Sequence, residues 1–315
     1  MSGGMLPGIE RRLRQLHSPS IQYFVSVAEA GSFRGAARKL NIASSAINRH
    51  VLLLEKELGF GLFERRGREL ELTSAGQIIL QHCIETVRDF EDVIEQLDAL
   101  RDLRKGIVRV AVSESFASEI APEICAEFSA IYPGIRVHVR VSESGKVIDF
   151  TSRDECDVGI AFGHTSGTGR ELARYKLPIG AVVGARHPLT GRESISIREC
   201  FDYPLVIPDK ALSIRRLLDE AVDLFRTSPE GNIEATSPRL MLGIARMNRH
   251  IVFQSKLGLA NDLKNSSLHF IPLTDKNLKP DQAVLMASPR SQNRFAAIEF
   301  STFFAKALER ELSGP

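Results

Sequence analysis

SPSIQYFVSVAEAGSFRGAARKLNIASSAINRHVLLLEKELGFGLFERRGRELELTSAG, residues 18–76, reads as three short helices, a basic hairpin and the start of a longer helix. Ile21, Phe24, Val25 and Ala28 fall at i, i+3, i+4 and i+7, the spacing of one apolar helix face. Ser18 and Pro19 supply a start and Gly31 a stop. Ser32 is placed to cap a second helix running to Leu40, where Ala36 and Ala37 allow close approach of a neighbour. After a turn at Asn41-Ile42, a third helix is expected from about Ser44 to Leu58. Its inner face would be Ile47, Val51, Leu54 and Leu58, leaving Asn48, Arg49 and Lys56 outside.

From Gly59 to Thr73 the chain alternates apolar and charged residues around Gly67, with Arg65, Arg66 and Arg68 at the tip. That is a hairpin pattern. A helix with an exposed Asn/Arg edge beside a basic hairpin suits duplex DNA. The helix fits the major groove and the arginines meet phosphates or the minor groove. The alternative is a small helical domain with a solvated basic face.

Phe24, Gly31-Ser32-Phe33, Ala36-Ala37, Leu40, Leu54-Glu55, Leu58-Gly59, Leu62-Phe63-Glu64-Arg65 and Leu72-Thr73-Ser74-Ala75-Gly76 together resemble the head of LysR-type transcriptional regulators. The family often carries Ser or Thr at Ala43, Gln at Ser44, Pro or Ser at Ser45 and Ser at Asn48, while Arg49 keeps the usual arginine. A short hydroxyl at Ser44 reads either base type, so the family's usual base preference does not carry over. The resemblance implies that Ser44, Ser45, Asn48 and Arg49 reach bases or adjacent phosphates. Ser32, Arg34, Arg65, Arg66 and Arg68 would then lie on the DNA backbone.

Thr73 is placed to cap a helix continuing to about Leu103. Leu80, Cys83, Val87, Phe90, Ile94 and Leu97 alternate steps of three and four, a narrow heptad seam that calls for a second copy of the helix. Leu80, Val87, Phe90, Ile94 and Leu97 are the expected dimerisation residues, and a dimer would put two recognition helices on one duplex. The alternative is a helix packed on its own domain.

Beyond Arg104-Lys105-Gly106 strands alternate with helices, which implies a parallel sheet covered on both faces. Strands are expected at 107–112, 135–141, 157–162 and 179–183, then at 205–208, 233–235, 251–253, 269–273 and 284–287. The segment 213–225 should be helical, as should 238–247 and 295–312. The expected class is α/β: an N-terminal winged helix-turn-helix, a long linker helix and a two-lobed effector domain similar to periplasmic binding proteins. The expected boundaries are a tail at 1–17, the head at 18–76 and the linker at 77–105. The effector domain would cover 106–315, with lobe I at about 106–183 and 284–315 and lobe II at about 184–283. His187-Pro188-Leu189 and Tyr203-Pro204-Leu205 match family landmarks. Asn248-Arg249-His250 replaces a glycine-rich turn and Gln254 a proline, which suggests a more cationic mouth to the second lobe.

In an open parallel sheet, ligands bind at the carboxyl ends of strands, where helix N-termini present free N–H groups. Those positions supply Ser113, Ser115, Phe116, Ser144, Phe162, Asp209, Ser213 and Ser237 as candidate effector contacts. Ser115 aligns best with a serine that the family uses for that purpose. The ring of helix starts suggests a small organic acid, with Glu114 and Glu143 turned away. The alternative is that these serines are simply N-caps.

The 315 residues are 43% hydrophobic and 25% charged, with a net charge of +2. Residues 1–72 carry 11 Lys/Arg against 7 Asp/Glu, or +4, which fits a phosphate partner at one end of the chain. No apolar run reaches the 18 or more residues of a membrane span, and the first 17 residues lack an apolar signal core, so a cytoplasmic protein is expected. Cys83, Cys125, Cys156 and Cys200 show no CxxC spacing, so neither metal nor disulfide framework is expected, and no cofactor. No Ser-His-Asp order, P-loop or dinucleotide fingerprint marks an enzyme. The expected partners are double-stranded DNA, a small-molecule effector, a second copy of the chain (a dimer or dimer of dimers) and RNA polymerase, with no membrane. A redox-sensing or ligand-independent DNA-binding regulator is the alternative.

Overall fold

The computed structural model describes residues 18–66, 69–99, 105–163, 168–221 and 233–313. It divides into two compact units, 1–97 and 98–315.

In the first unit, α1 (Pro19–Ala30) starts on a proline at its first turn and stops at Gly31, whose φ of 63° lies in the left-handed region that glycine enters at no steric cost. Ser18 holds the N-cap position but makes no side-chain cap bond. Ser32 does cap α2 (Phe33–Leu40), accepting from the Gly35 N–H at 3.1 Å. The recognition-type helix α3 (Ser44–Leu58) buries Ile47, Val51 and Leu54. Leu58, expected on that face, is instead 39% exposed, because the helix ends there and the chain turns away at Gly59. β1 (Phe63–Arg66) pairs antiparallel with β2 (Glu69–Leu72), as the alternating pattern requires. Gly67, Arg68 and the side chain of Arg66 lie outside the described residues.

Thr73 then closes the hairpin and opens α4 (Ser74–Ala99): its hydroxyl donates to the Gly61 carbonyl and accepts from the Gly76 N–H. The expected seam of α4 is partly something else. Cys83 and Val87 are buried in the head's own core with Phe24, Ile47 and Leu62, and Leu80 packs against it. Val87 therefore has no surface to offer a second chain. Leu97 is 51% exposed, while the side chain of Ile94 and residues 100–104 lie outside the described residues.

Gly76 is required by close packing rather than by a special φ. A Cβ there would sit 2.1 Å from the Leu62 carbonyl oxygen, a backbone atom that has little room to yield. Gly76→Ala is expected to destabilise the head by about 1–3 kcal/mol through overpacking. Urea unfolding followed with one probe in each unit checks this: the head's midpoint should fall while that of 98–315 stays in place.

The second unit begins with β3 (Gly106–Ser113), followed by α5 (Glu114–Ala117), α6 (Ile120–Ile131), β4 (Ile135–Ser142), α7 (Ser144–Ser152), β5 (Val158–Phe162) and β6 (Arg170–Leu177). The chain then crosses to a second lobe with β7 (Ile179–Gly184), α8 (Ile197–Cys200), β8 (Val206–Pro208), α9 (Ser213–Ala221), β9 (Ile233–Ala235), α10 (Pro238–Ala245), β10 (Val252–Ser255), α11 (Ala260–Lys264) and β11 (Leu268–Pro272). It returns with β12 (Asp281–Ala287) and the closing α12 (Phe295–Ser313).

The first lobe's sheet has the order β4-β3-β5-β12-β6. β3 is parallel to β4 and β5, but β12 is antiparallel to both β5 and β6, so the sheet is mixed rather than wholly parallel. α6 and α12 cover one face through Phe128, Phe300 and Phe304. α7 covers the other through Val147 and Ile148. The second lobe centres on β10-β7-β11, antiparallel throughout, joined to the parallel pair β8-β9 by a bridge between Leu205 and Ile251. β7 is thus the middle strand of lobe II, and the boundary expected near 183 falls instead between Leu177 and Ile179.

Where lobe I begins its strands, three buried charges meet. Asp157 accepts from the Arg109 N–H at 2.7 Å and from the Arg294 guanidinium at 2.5 Å, and Arg294 also donates to the Ile107 carbonyl. All three side chains are nearly fully enclosed.

Candidate DNA-binding head and ligand cleft

Helical periodicity gives α3 two faces. With Ile47, Val51 and Leu54 turned inward, the positions in between turn outward: Ser45, Asn48 and Arg49 are all exposed, and Ser44 is half-buried in the first turn. Glu55 fixes the helix against the hairpin, accepting from the Leu62 and Phe63 N–H groups at 2.6 and 3.3 Å. Arg34 is exposed on the first turn of α2 and Arg65 is exposed on β1, opposite Leu70 in the ladder. Ser32 is half-buried and its hydroxyl oxygen is engaged as the α2 cap. The head therefore offers polar and cationic groups on a helix held firmly by its apolar side. This is the chemistry that base edges and phosphates take.

In the second unit a cleft of about 340 Å³ opens between the two lobes. Lobe I contributes Ser113, Glu114, Ser115, Val141, Ser142, Glu143, Ser144 and Phe162. Lobe II contributes Ala211 to Ile214, Thr236, Pro238, Met241 and Phe253 to Ser255, and the connecting strand adds Asp281. A cleft of this size with apolar walls and a few polar groups has the form of a small-molecule site.

The structure brings Ser113, Ser115, Ser144, Phe162 and Ser213 together there, as the carboxyl-end rule expects. It does not bring in Phe116, Asp209 or Ser237. Phe116 is fully buried in the lobe I core, its ring 5.4 Å from that of Phe162. Asp209 folds back to accept from the Ala211 N–H and shapes the turn before α9. Ser237 caps α10 by accepting from the Leu240 N–H, and donates across the lobes to Glu114 Oε1 at 2.8 Å. Glu114 and Glu143, expected to turn away, both line the cleft.

Gln254, noted in the sequence for replacing a proline, does line the cleft, while Asp281 and Ser255 went unnoticed in the sequence, although each stands at a strand end. The Asn248-Arg249-His250 turn is absent from the lining. Asn248 takes the left-handed φ of 64° that a glycine would otherwise supply, and its Oδ1 accepts from the Arg186 N–H. Burial first, then the charge of Arg249, holds the neighbouring His250 below the usual imidazole range.

The hydroxyls differ in what they already do. Ser144 accepts from the Phe162 N–H, and Ser213 donates to Asp281 Oδ2 at 2.7 Å. Ser113, 4% exposed, has no hydrogen-bond partner for its hydroxyl and does not cap α5.

Cys83, Cys125, Cys156 and Cys200 form no disulfide. Burial, with Asp275 and Glu199 nearby, pushes the Cys200 thiol up to about 12, and burial pushes Cys83 up to about 11. Among the described residues no cluster of His, Cys, Asp and Glu could hold a metal, and no helix is long and apolar enough to cross a membrane.

Residues 19–77 match the family model described as bacterial regulatory helix-turn-helix protein, lysR family, and residues 101–309 match the LysR substrate binding domain. The transcriptional regulator AlsR of Bacillus subtilis is 29% identical over 187 residues, covering 59% of this chain and 62% of that protein. CysL of the same organism is 24% identical over 260 residues, covering 82% and 87%. Two solved structures share the fold. A full-length OxyR variant from Pseudomonas aeruginosa has a TM-score of 0.61 at 16% identity, covering 97% of this chain and 95% of that one. The Vibrio cholerae virulence activator AphB has a TM-score of 0.53 at 17% identity, covering 91% and 98%.

Proposed function

Because the chain belongs to the LysR family of DNA-binding transcriptional regulators, we propose that it binds specific DNA sequences as a dimer and that a small molecule in the interlobe cleft modulates that binding. One observation carries the DNA part: α3 exposes Ser45, Asn48 and Arg49 on the face opposite its buried Ile47-Val51-Leu54 stripe. The seam for self-association is the distal half of α4. Phe90, Val93 and Leu97 recur there at i, i+3 and i+7, with Val93 48% and Leu97 51% exposed. Such a regulator would act in the cytoplasm, beside DNA and RNA polymerase.

The cleft supports modulation because its wall is drawn from both lobes, so an occupant contacts both and favours one relative placement of them. The organic acid suggested by the helix starts finds little support in that wall. It presents three carboxylates and, among the described residues, no lysine, arginine or histidine. The redox reading finds little support at Cys200, since reactivity requires a thiolate and this thiol is fully buried, which pushes its pKa up.

The test is selection of duplexes from a random pool by the full-length protein. A short motif should be enriched as two symmetric half-sites, spaced by one or more turns of about 10–10.5 base pairs. Binding should weaken steeply with salt. Failure to enrich any motif over successive rounds contradicts the proposal.

A further inference from the structure

We infer that the cleft takes a small ligand bearing a protonated amine, its cationic group against Glu114 and a polar substituent on the Ser113 hydroxyl. This inference rests on the reading of the cleft as the effector site. Its ground is the balance of charge and of unused hydrogen-bonding capacity in that wall.

The helix starts that favour an anion are largely spent. α10 begins on Pro238, which has no N–H, and Ser237 already accepts the Leu240 N–H. The Ser213 hydroxyl proton is given to Asp281, and Ser144 takes the Phe162 N–H. Against the partial charge of each helix end stand the full charges of Glu114, Glu143 and Asp281. Glu143 lies at the rim, paired with Lys146 at 3.3 Å. Asp281 is occupied by Ser213 and the Gln282 N–H.

Glu114 is different. Its Oε1 accepts one proton from Ser237, and a carboxylate with two oxygens has capacity for further donors. An ammonium group has three donors and no acceptor, which suits it. The adjacent Ser113 hydroxyl, 4% exposed and without a partner, is a desolvated group that a ligand atom would satisfy. Val141, Phe162 and Phe253 supply apolar walls for a short hydrocarbon body.

The experiment titrates the full-length protein with n-pentylamine, pentanoate and 1-pentanol, probes of one length with different heads, by calorimetry and thermal melting. Thr236→Trp, at an exposed position of the wall, fills the cleft as an occupancy control. The inference expects pentylamine alone to bind and raise the melting midpoint. Thr236→Trp should abolish the effect and Glu114→Gln should weaken it at least tenfold. The comparison of the three probes on the unaltered protein stands even where a variant folds poorly. Binding of pentanoate but not pentylamine, blocked by Thr236→Trp, overturns the amine and keeps the cleft as the effector site. Binding unaffected by Thr236→Trp, or no binding by any probe, overturns the reading of the cleft itself.

Discussion

Asp157→Asn is expected to cost the two-lobed unit about 3–5 kcal/mol of stability, because it strips the anion from between two buried guanidiniums. Arg109 and Arg294 are each about nine-tenths or more enclosed, so neither recovers bulk water when the carboxylate becomes an amide. The carboxylate also holds the Arg109 backbone N–H, and Arg294 ties the start of α12 to β3 through the Ile107 carbonyl. Losing it should therefore loosen the join between the closing helix and the central strand. The melting midpoint of this unit should fall by on the order of 10 °C. Asp157 precedes β5, whereas the cleft residue Phe162 ends it, so ligand response in the folded fraction should be unchanged. A loss below about 1 kcal/mol would show that the buried charges are solvated or paired in another way.

How far the sequence could be read depended on what decided each element. The head was legible almost to the residue because its signals are local. Periodicity, Pro19, Gly31, the Ser32 cap and the alternation around Gly67 each act within a few positions. The linker seam misled because spacing shows an apolar stripe but not its partner. Cys83 and Val87 share the stripe with Leu97 yet are claimed by the head's own core.

In the lobes, β6 was missed since Arg170, Glu171, Arg174 and Lys176 make it look like a surface loop. It is an edge strand, where charge is tolerated. β7 was placed in the wrong lobe because an apolar strand does not say which sheet it joins. The cleft was half legible. A rule written for parallel strands points to carboxyl ends, and it found Ser113, Ser144 and Phe162. Asp281 lies at the amino end of β12, which runs antiparallel to β5 and so starts at the edge where β5 finishes. Phe116 was the opposite error, a residue beside the right serines whose helix turns it into the core.

Arg49→Ala is expected to weaken binding to the selected duplex by about 1–3 kcal/mol, which is roughly 5- to 150-fold in Kd, as for loss of one bidentate contact to guanine. The side chain is exposed on α3 and belongs to no core cluster, so the head should keep its fold and melting midpoint. Arg65→Ala is the contrast. From its exposed place on the hairpin it should act on phosphates, lowering affinity for all duplexes alike and making the salt dependence shallower. The two variants thus separate reading of sequence from attraction to charge.

The most direct measurement is the Kd of the unaltered protein and of Arg49→Ala for the selected duplex and for a scrambled duplex of the same composition, at one salt concentration. The unaltered protein is expected to prefer the selected duplex, and Arg49→Ala to lose most of that preference while binding the scrambled duplex nearly as before. Equal affinity of the unaltered protein for both duplexes, or an unchanged preference in Arg49→Ala, would contradict it.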